Sequence, residues 1–153
     1  DFKVNHSALY RTGGANPNLK TRFESQIAWL PFFPGMSFDL FESILKKESL
    51  RGVVLSTFGS GNAPDSEPLK DMLKRAIDRG VTAVNITQCG HGGVKPEMYA
   101  TSLMLTECGV IPGGDMTNEA AITKLMMLLG ETDDQGLIRQ KFTSNLRGEL
   151  TTH

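Results

Sequence analysis

Two short stretches hold residues whose types and spacing invite chemistry. "STFGSGNAPDSEP" (56–68) is a glycine-rich turn after the apolar run Val53-Val54-Leu55, and "TQCGHGG" (87–93) sets a cysteine and a histidine behind a second apolar run. A phosphate-binding loop of the G-x-x-x-x-G-K-[ST] type requires a lysine to neutralise the β- and γ-phosphates. Here Gly59 and Gly61 lead into Asn62-Ala63-Pro64 with no lysine, and the third glycine of a dinucleotide fingerprint is missing. Asp65 and Glu67 further disfavour a polyphosphate. In the second stretch, a cysteine after a buried strand has the look of a nucleophile elbow. Yet Thr87 replaces the small glycine usual two residues before such a nucleophile, and His91 gains no base geometry from proximity in sequence. Cys89, His91 and the distant Cys108 also lack metal-ligand spacing, so a small buried thiol in a tight loop is the simpler expectation. "RTGGAN" (11–16) is a third candidate, a threonine at a tight turn, but no apolar strand precedes it and it reads as a linker turn.

The elements that must position these loops follow from hydrophobic periodicity. "QIAWLPFF" (26–33) reads as a strand, with Pro31 pointing to an edge position or a bend. Ser37 stands before a helix whose Phe38, Phe41, Ile44 and Leu45 share one face. "RGVVLSTF" and "VTAVNIT" have the β-branched runs of strands buried on both faces. Between them, Leu69, Leu73, Ala76 and Ile77 stripe a helix that Gly80 ends. "EMYATSLMLTECG" predicts a helix ending at Gly109, and "VIP" a short strand. "TNEAAITKLMMLLG" predicts a helix from Thr117 as N-cap to Gly130 as its stop, and "QGLIRQKFTSNL" a last helix. Strands alternating with helices predict an α/β fold: a small doubly wound (Rossmann/flavodoxin-like) parallel sheet with helices on both faces. Ligands in such sheets bind beyond the carboxyl ends of the strands, where both loops lie.

Composition narrows the partners. A chain of 153 residues with 39% hydrophobic and 22% charged residues suits one compact domain. A net charge of −1 argues against a nucleic-acid or anionic-membrane surface, and no apolar run approaches a membrane span. Two cysteines make no disulfide framework and suit reduced thiols in the cytoplasm.

Taken in order, "GVVLSTFGSGNAP", "VNITQC", "GVIPGGDMTNEAAITKLMMLLG" and "NLRGELT" resemble consecutive landmarks of the C-terminal domain of type I (cytoplasmic, bacterial) L-asparaginases. The resemblance runs from about "FFPGM" to the C-terminus. It implies a cofactor-free, two-domain enzyme that hydrolyses L-asparagine to L-aspartate and ammonia. In that family the larger N-terminal domain carries the catalytic threonines, aspartate and lysine in Thr-Gly-Gly-Thr and Gly-Thr-Asp-Thr motifs. Neither motif occurs in this chain, and Lys124, in mid-helix, does not qualify as the catalytic lysine. This chain alone is therefore expected to be inactive, with residues 1–25 as the connection from a catalytic domain, including a strand near Phe2–Val4, and residues 26–153 as the C-terminal domain. The resemblance further implies that Asn62, with Gly61, completes the partner subunit's active site across a dimer interface. It also implies a possible allosteric asparagine site at Ser56, Thr87 and Cys89, where some relatives carry arginine in place of Ser56. The implied partners are L-asparagine, the chain's own N-terminal domain and further copies in a dimer or tetramer. Two other classes use the same loops: a stand-alone amino-acid or nucleotide binding module, and a cysteine hydrolase with Cys89 as nucleophile.

Overall fold

The computed structural model describes Val4, residues 18–94 and residues 100–151. Its strands are β1 (Ile27–Pro31), β2 (Gly52–Thr57), β3 (Thr82–Thr87) and β4 (Ile111–Pro112). Its helices are α1 (Phe38–Leu45), α2 (Glu67–Asp78), α3 (Ala100–Glu107), α4 (Asn118–Glu131) and α5 (Gln135–Phe142). All neighbouring strands pair in parallel, in the order β1-β2-β3-β4. Among the described residues β1 is an edge strand, so the missing N–H of Pro31 leaves no central ladder bond unmade.

The sheet advances in one direction, so right-handed crossovers put α1, α2 and α3 on the same face. The core bears this out. Val53, Leu55 and Ala83 pack with Phe41, Leu45, Leu69, Leu73 and Leu105. Val54, Val84 and Ile86, one residue out of step, pack with Leu125, Leu128, Ile138 and Phe142 of α4 and α5. Strand alternation alone sends successive side chains to these two layers. The expected parallel sheet with helices on both faces is what forms. Its second face is covered by the chain after β4 and not by a reversal of strand order.

Local signals placed most ends correctly. Ser66, Thr117 and Asp134 each cap a helix by accepting a backbone N–H, from Leu69, Ala120 and Leu137. Ser37 holds the N-cap position of α1 without a side-chain cap bond. Gly130 is not the expected stop: α4 continues through Glu131, so Gly130 lies inside the helix. The segment before β1 crosses α4 there, its Glu24 N–H donating to the Met126 carbonyl at 2.9 Å. The last helix ends at Phe142, short of the expected span. The strand near Phe2, the "RTGGAN" turn and the first residues of the "EMYATSLMLTECG" helix lie outside the described residues.

Candidate functional site

The carboxyl ends of β2 and β3 carry polar residues that are buried: Ser56, Thr57, Asn85 and Thr87. Register sets Leu55 beside Asn85 and Thr57 beside Thr87. By alternation, Thr57, Asn85 and Thr87 share the α1–α3 face, beneath the loop that leaves β2. Ser56 points to the opposite face, where its hydroxyl lies 3.4 Å from Asn118 Oδ1 at the start of α4. Buried polar groups are costly unless bonded. Here Asn85 and Thr87 bond the loop after β2, Thr57 bonds Asn85 and the Ile86 carbonyl, and Ser56 meets Asn118.

The loop itself is a tight turn. Phe58 N–H donates to the Asn62 carbonyl at 2.9 Å, and Asn62 N–H and Gly61 N–H return to the Phe58 carbonyl at 2.8 and 3.0 Å. Beneath it, Asn85 Nδ2 donates to the Gly61 carbonyl at 3.0 Å, while Thr57 Oγ1 donates to Asn85 Oδ1 at 2.7 Å. Thr87 Oγ1 donates to the Gly59 carbonyl and accepts Cys89 N–H at 3.0 Å. Gln88 Nε2 bridges the Phe32 and Ser56 carbonyls at 2.6 and 2.7 Å, tying the ends of β1, β2 and β3 together. The loops after β3 and β4 join the same surface, through Val94 N–H to the Gly114 carbonyl at 2.8 Å and Gly113 N–H to the Asn85 carbonyl at 2.7 Å.

Gly61 has φ +102°, and a Cβ there would stand 2.7 Å from Val94 Cγ1. Valine is stiff at χ1 and cannot swing aside. Gly61→Ala is expected to lower stability by about 2 kcal/mol, from left-handed backbone and overpacking together. Urea unfolding checks this; an unchanged midpoint would mean the turn yields.

The residues expected to matter are therefore placed unequally. Asn62 sits half-buried on the turn, its Nδ2 3.7 Å from where a Gly59 Cβ would be. Gly61 is the turn's contact with Asn85. Thr87 and Cys89 adjoin one another, but Ser56 faces α4, so its side chain does not meet theirs. Cys89 is exposed, which corrects the expectation of a buried thiol: the loop after Thr87 turns outward into solvent. Among the described residues no hydrogen bond joins its thiol to His91; its backbone N–H donates to Thr87 Oγ1. Cys108 is the buried thiol, and burial pushes its pKa up. Thr57, Asn85 and Gln88 brace the loops without belonging to either glycine-rich motif's expected chemistry. Asn85 carried a signal, since an amide between Val84 and Ile86 in a buried run must find partners.

What fold and loops together define is a parallel α/β domain with a braced glycine-rich turn beyond its strand ends. Residues 26–142 match the glutaminase/asparaginase C-terminal domain, and this chain belongs to that family. It is 42% identical over 125 residues to L-asparaginase 1 of Escherichia coli K12, covering 82% of this chain and 37% of that protein. It is 34% identical over 145 residues to a glutamyl-tRNA(Gln) amidotransferase component of Thermofilum pendens, covering 95% of this chain and 32% of that protein. Among solved structures, L-asparaginase I of Vibrio cholerae superposes with a TM-score of 0.83 at 37% identity, over 91% of this chain and 42% of the other. The chain thus spans less than half the length of these relatives. Among the described residues no helix is long and apolar enough to cross a membrane.

Proposed function

We propose that this chain is the C-terminal domain of a cytoplasmic L-asparaginase, hydrolysing L-asparagine only in company with an N-terminal catalytic domain. The observation that carries the proposal is the 42% identity to an L-asparaginase over a segment only 37% of its length. The amidotransferase component is less similar, at 34%. Within the domain, the role goes to Asn62, with Gly61 holding the backbone in place. Its amide offers a donor and an acceptor, which suits the amino-acid end of asparagine in a neighbouring subunit's site. An effector role for Ser56, Thr87 and Cys89 has less support, because the Thr87 hydroxyl is engaged twice and Ser56 lies on the other face.

The test is ammonia release from L-asparagine, by this chain alone and joined to a catalytic domain. The chain alone should release none. In the joined enzyme, Asn62→Ala should raise KM about tenfold, the loss of roughly one good polar contact, with the oligomer intact by gel filtration. Turnover by the isolated chain, or unchanged kinetics in Asn62→Ala, would overturn the proposal.

A further inference from the structure

We propose that Asn85 is a positioning residue for the Asn62 turn, acting with Thr57 through the backbone of Gly61; this rests on the role proposed for Asn62. An asparagine in the middle of a strand, 3% exposed and flanked by Val84 and Ile86, is a poor choice for a core that valine would fill. Both ends of its amide are used. Nδ2 holds the Gly61 carbonyl at 3.0 Å, which belongs to the peptide that joins Gly61 to Asn62. Fixing that carbonyl fixes the plane from which the Asn62 Cα emerges. The carbonyl can only accept, so the amide must present nitrogen to it. The Thr57 hydroxyl completes the arrangement by donating to Oδ1 at 2.7 Å, with the Ile86 carbonyl a second acceptor within its reach at 3.2 Å. On the backbone, the Asn85 carbonyl takes Gly113 N–H at 2.7 Å, so one residue registers the loops after β2 and β4. Val94 and the Asn85 amide both close on Gly61 where a Cβ would stand, at 2.7 and 3.1 Å.

Asn85→Asp tests this at constant shape, because it sets a carboxylate oxygen against the Gly61 carbonyl. Thr57→Val removes only the hydroxyl that partners Oδ1, and serves should Asn85→Asp fail to fold. Thr57→Ser keeps it. In the joined enzyme, Asn85→Asp and Thr57→Val should each lower kcat/KM for asparagine about fivefold to tenfold, no more than Asn62→Ala itself, because they act through that one contact. Thr57→Ser should retain activity. In an Asn62→Ala background, Asn85→Asp should add less than about a further twofold, since residues acting through one another are not additive. Equal losses with and without Asn62, or equal losses for Thr57→Val and Thr57→Ser, would mean a structural role and overturn the inference. Should Asn62→Ala itself leave kcat/KM unchanged, the proposed role of the turn fails first and takes this inference with it. Full activity in Asn85→Asp beside a damaged Asn62→Ala would overturn the inference alone.

Discussion

Replacing Lys124 by methionine should destabilise the domain by about 3–5 kcal/mol, the usual loss when one partner of a buried ion pair is removed. The side chain of Lys124, midway along α4, is 4% exposed and its Nζ lies 2.6 Å from Glu149 Oε1. The ammonium also donates to the Ser144 carbonyl and lies 5.6 Å from the Phe142 ring centroid. Glu149 accepts the Leu146 and Arg147 N–H groups as well, so the pair clasps the C-terminal turn onto α4. Without the lysine, a carboxylate with 13% exposure is left short of a partner. Calorimetry should show a melting temperature lower by roughly 10 °C, taking about 2–4 °C per kcal/mol for a domain of this size. Lys124→Met/Glu149→Gln should recover part of the loss, because the amide oxygen still accepts a backbone N–H. A single variant that melts with the parent would show that the pair contributes nothing net.

The same clasp sets an acid limit. Burial raises the Glu149 carboxyl, but the Lys124 bond and the backbone N–H groups outweigh it and hold the pKa at about 2, against a usual 4.5. Burial draws the Lys124 ammonium down despite Glu149. A carboxyl depressed in the folded state contributes its full stabilisation above the unfolded value and loses it as pH falls toward the folded one. Stability should therefore decline from about pH 4.5 toward about pH 2, and less steeply in Glu149→Gln.

Gly130→Ala should also destabilise, by about 3 kcal/mol, against the ordinary rule for helices. Alanine inside a helix normally gains about 1 kcal/mol over glycine. Here an added Cβ would stand 2.4 Å from the Arg22 carbonyl oxygen and 2.9 Å from Phe23 N. These are backbone atoms, so no rotamer change relieves the clash, and overpacking of this kind is costly. The crossing segment must lift away, breaking the Glu24 N–H bond to Met126 and loosening the Lys20–Glu131 ion pair of 2.6 Å. Trypsin should then cut after Lys20 or Arg22 faster than in the parent chain, alongside a lower melting temperature. Equal or greater stability would show that the segment does not need this close approach.

The two glycines of opposite character show where sequence reading reaches and where it stops. Gly80 ends α2 with φ +99°, as a glycine after a striped helix should. Gly130 looked the same from its neighbours, yet it serves a chain segment more than a hundred positions earlier, which no local pattern registers. Likewise the glycine-rich turn after β2 was recognisable, whereas its brace was not. Thr57 and Asn85 are 28 residues apart and meet only because β2 and β3 pair in one register.

By itself, then, the sequence determined the strands and helices, the two apolar layers, the family and the loop that bears Asn62. These depend on periods of two and of three to four residues, on caps and on ordered motifs, all readable along the chain. Tertiary structure alone decided that Ser56 and Thr87 face opposite layers, that Cys89 opens to solvent, that Glu149 closes on Lys124, and that Asn85 lies under Gly61. Those outcomes depend on strand register and on how layers stack. Buried polar groups find partners wherever the fold brings them, not at a fixed distance in sequence.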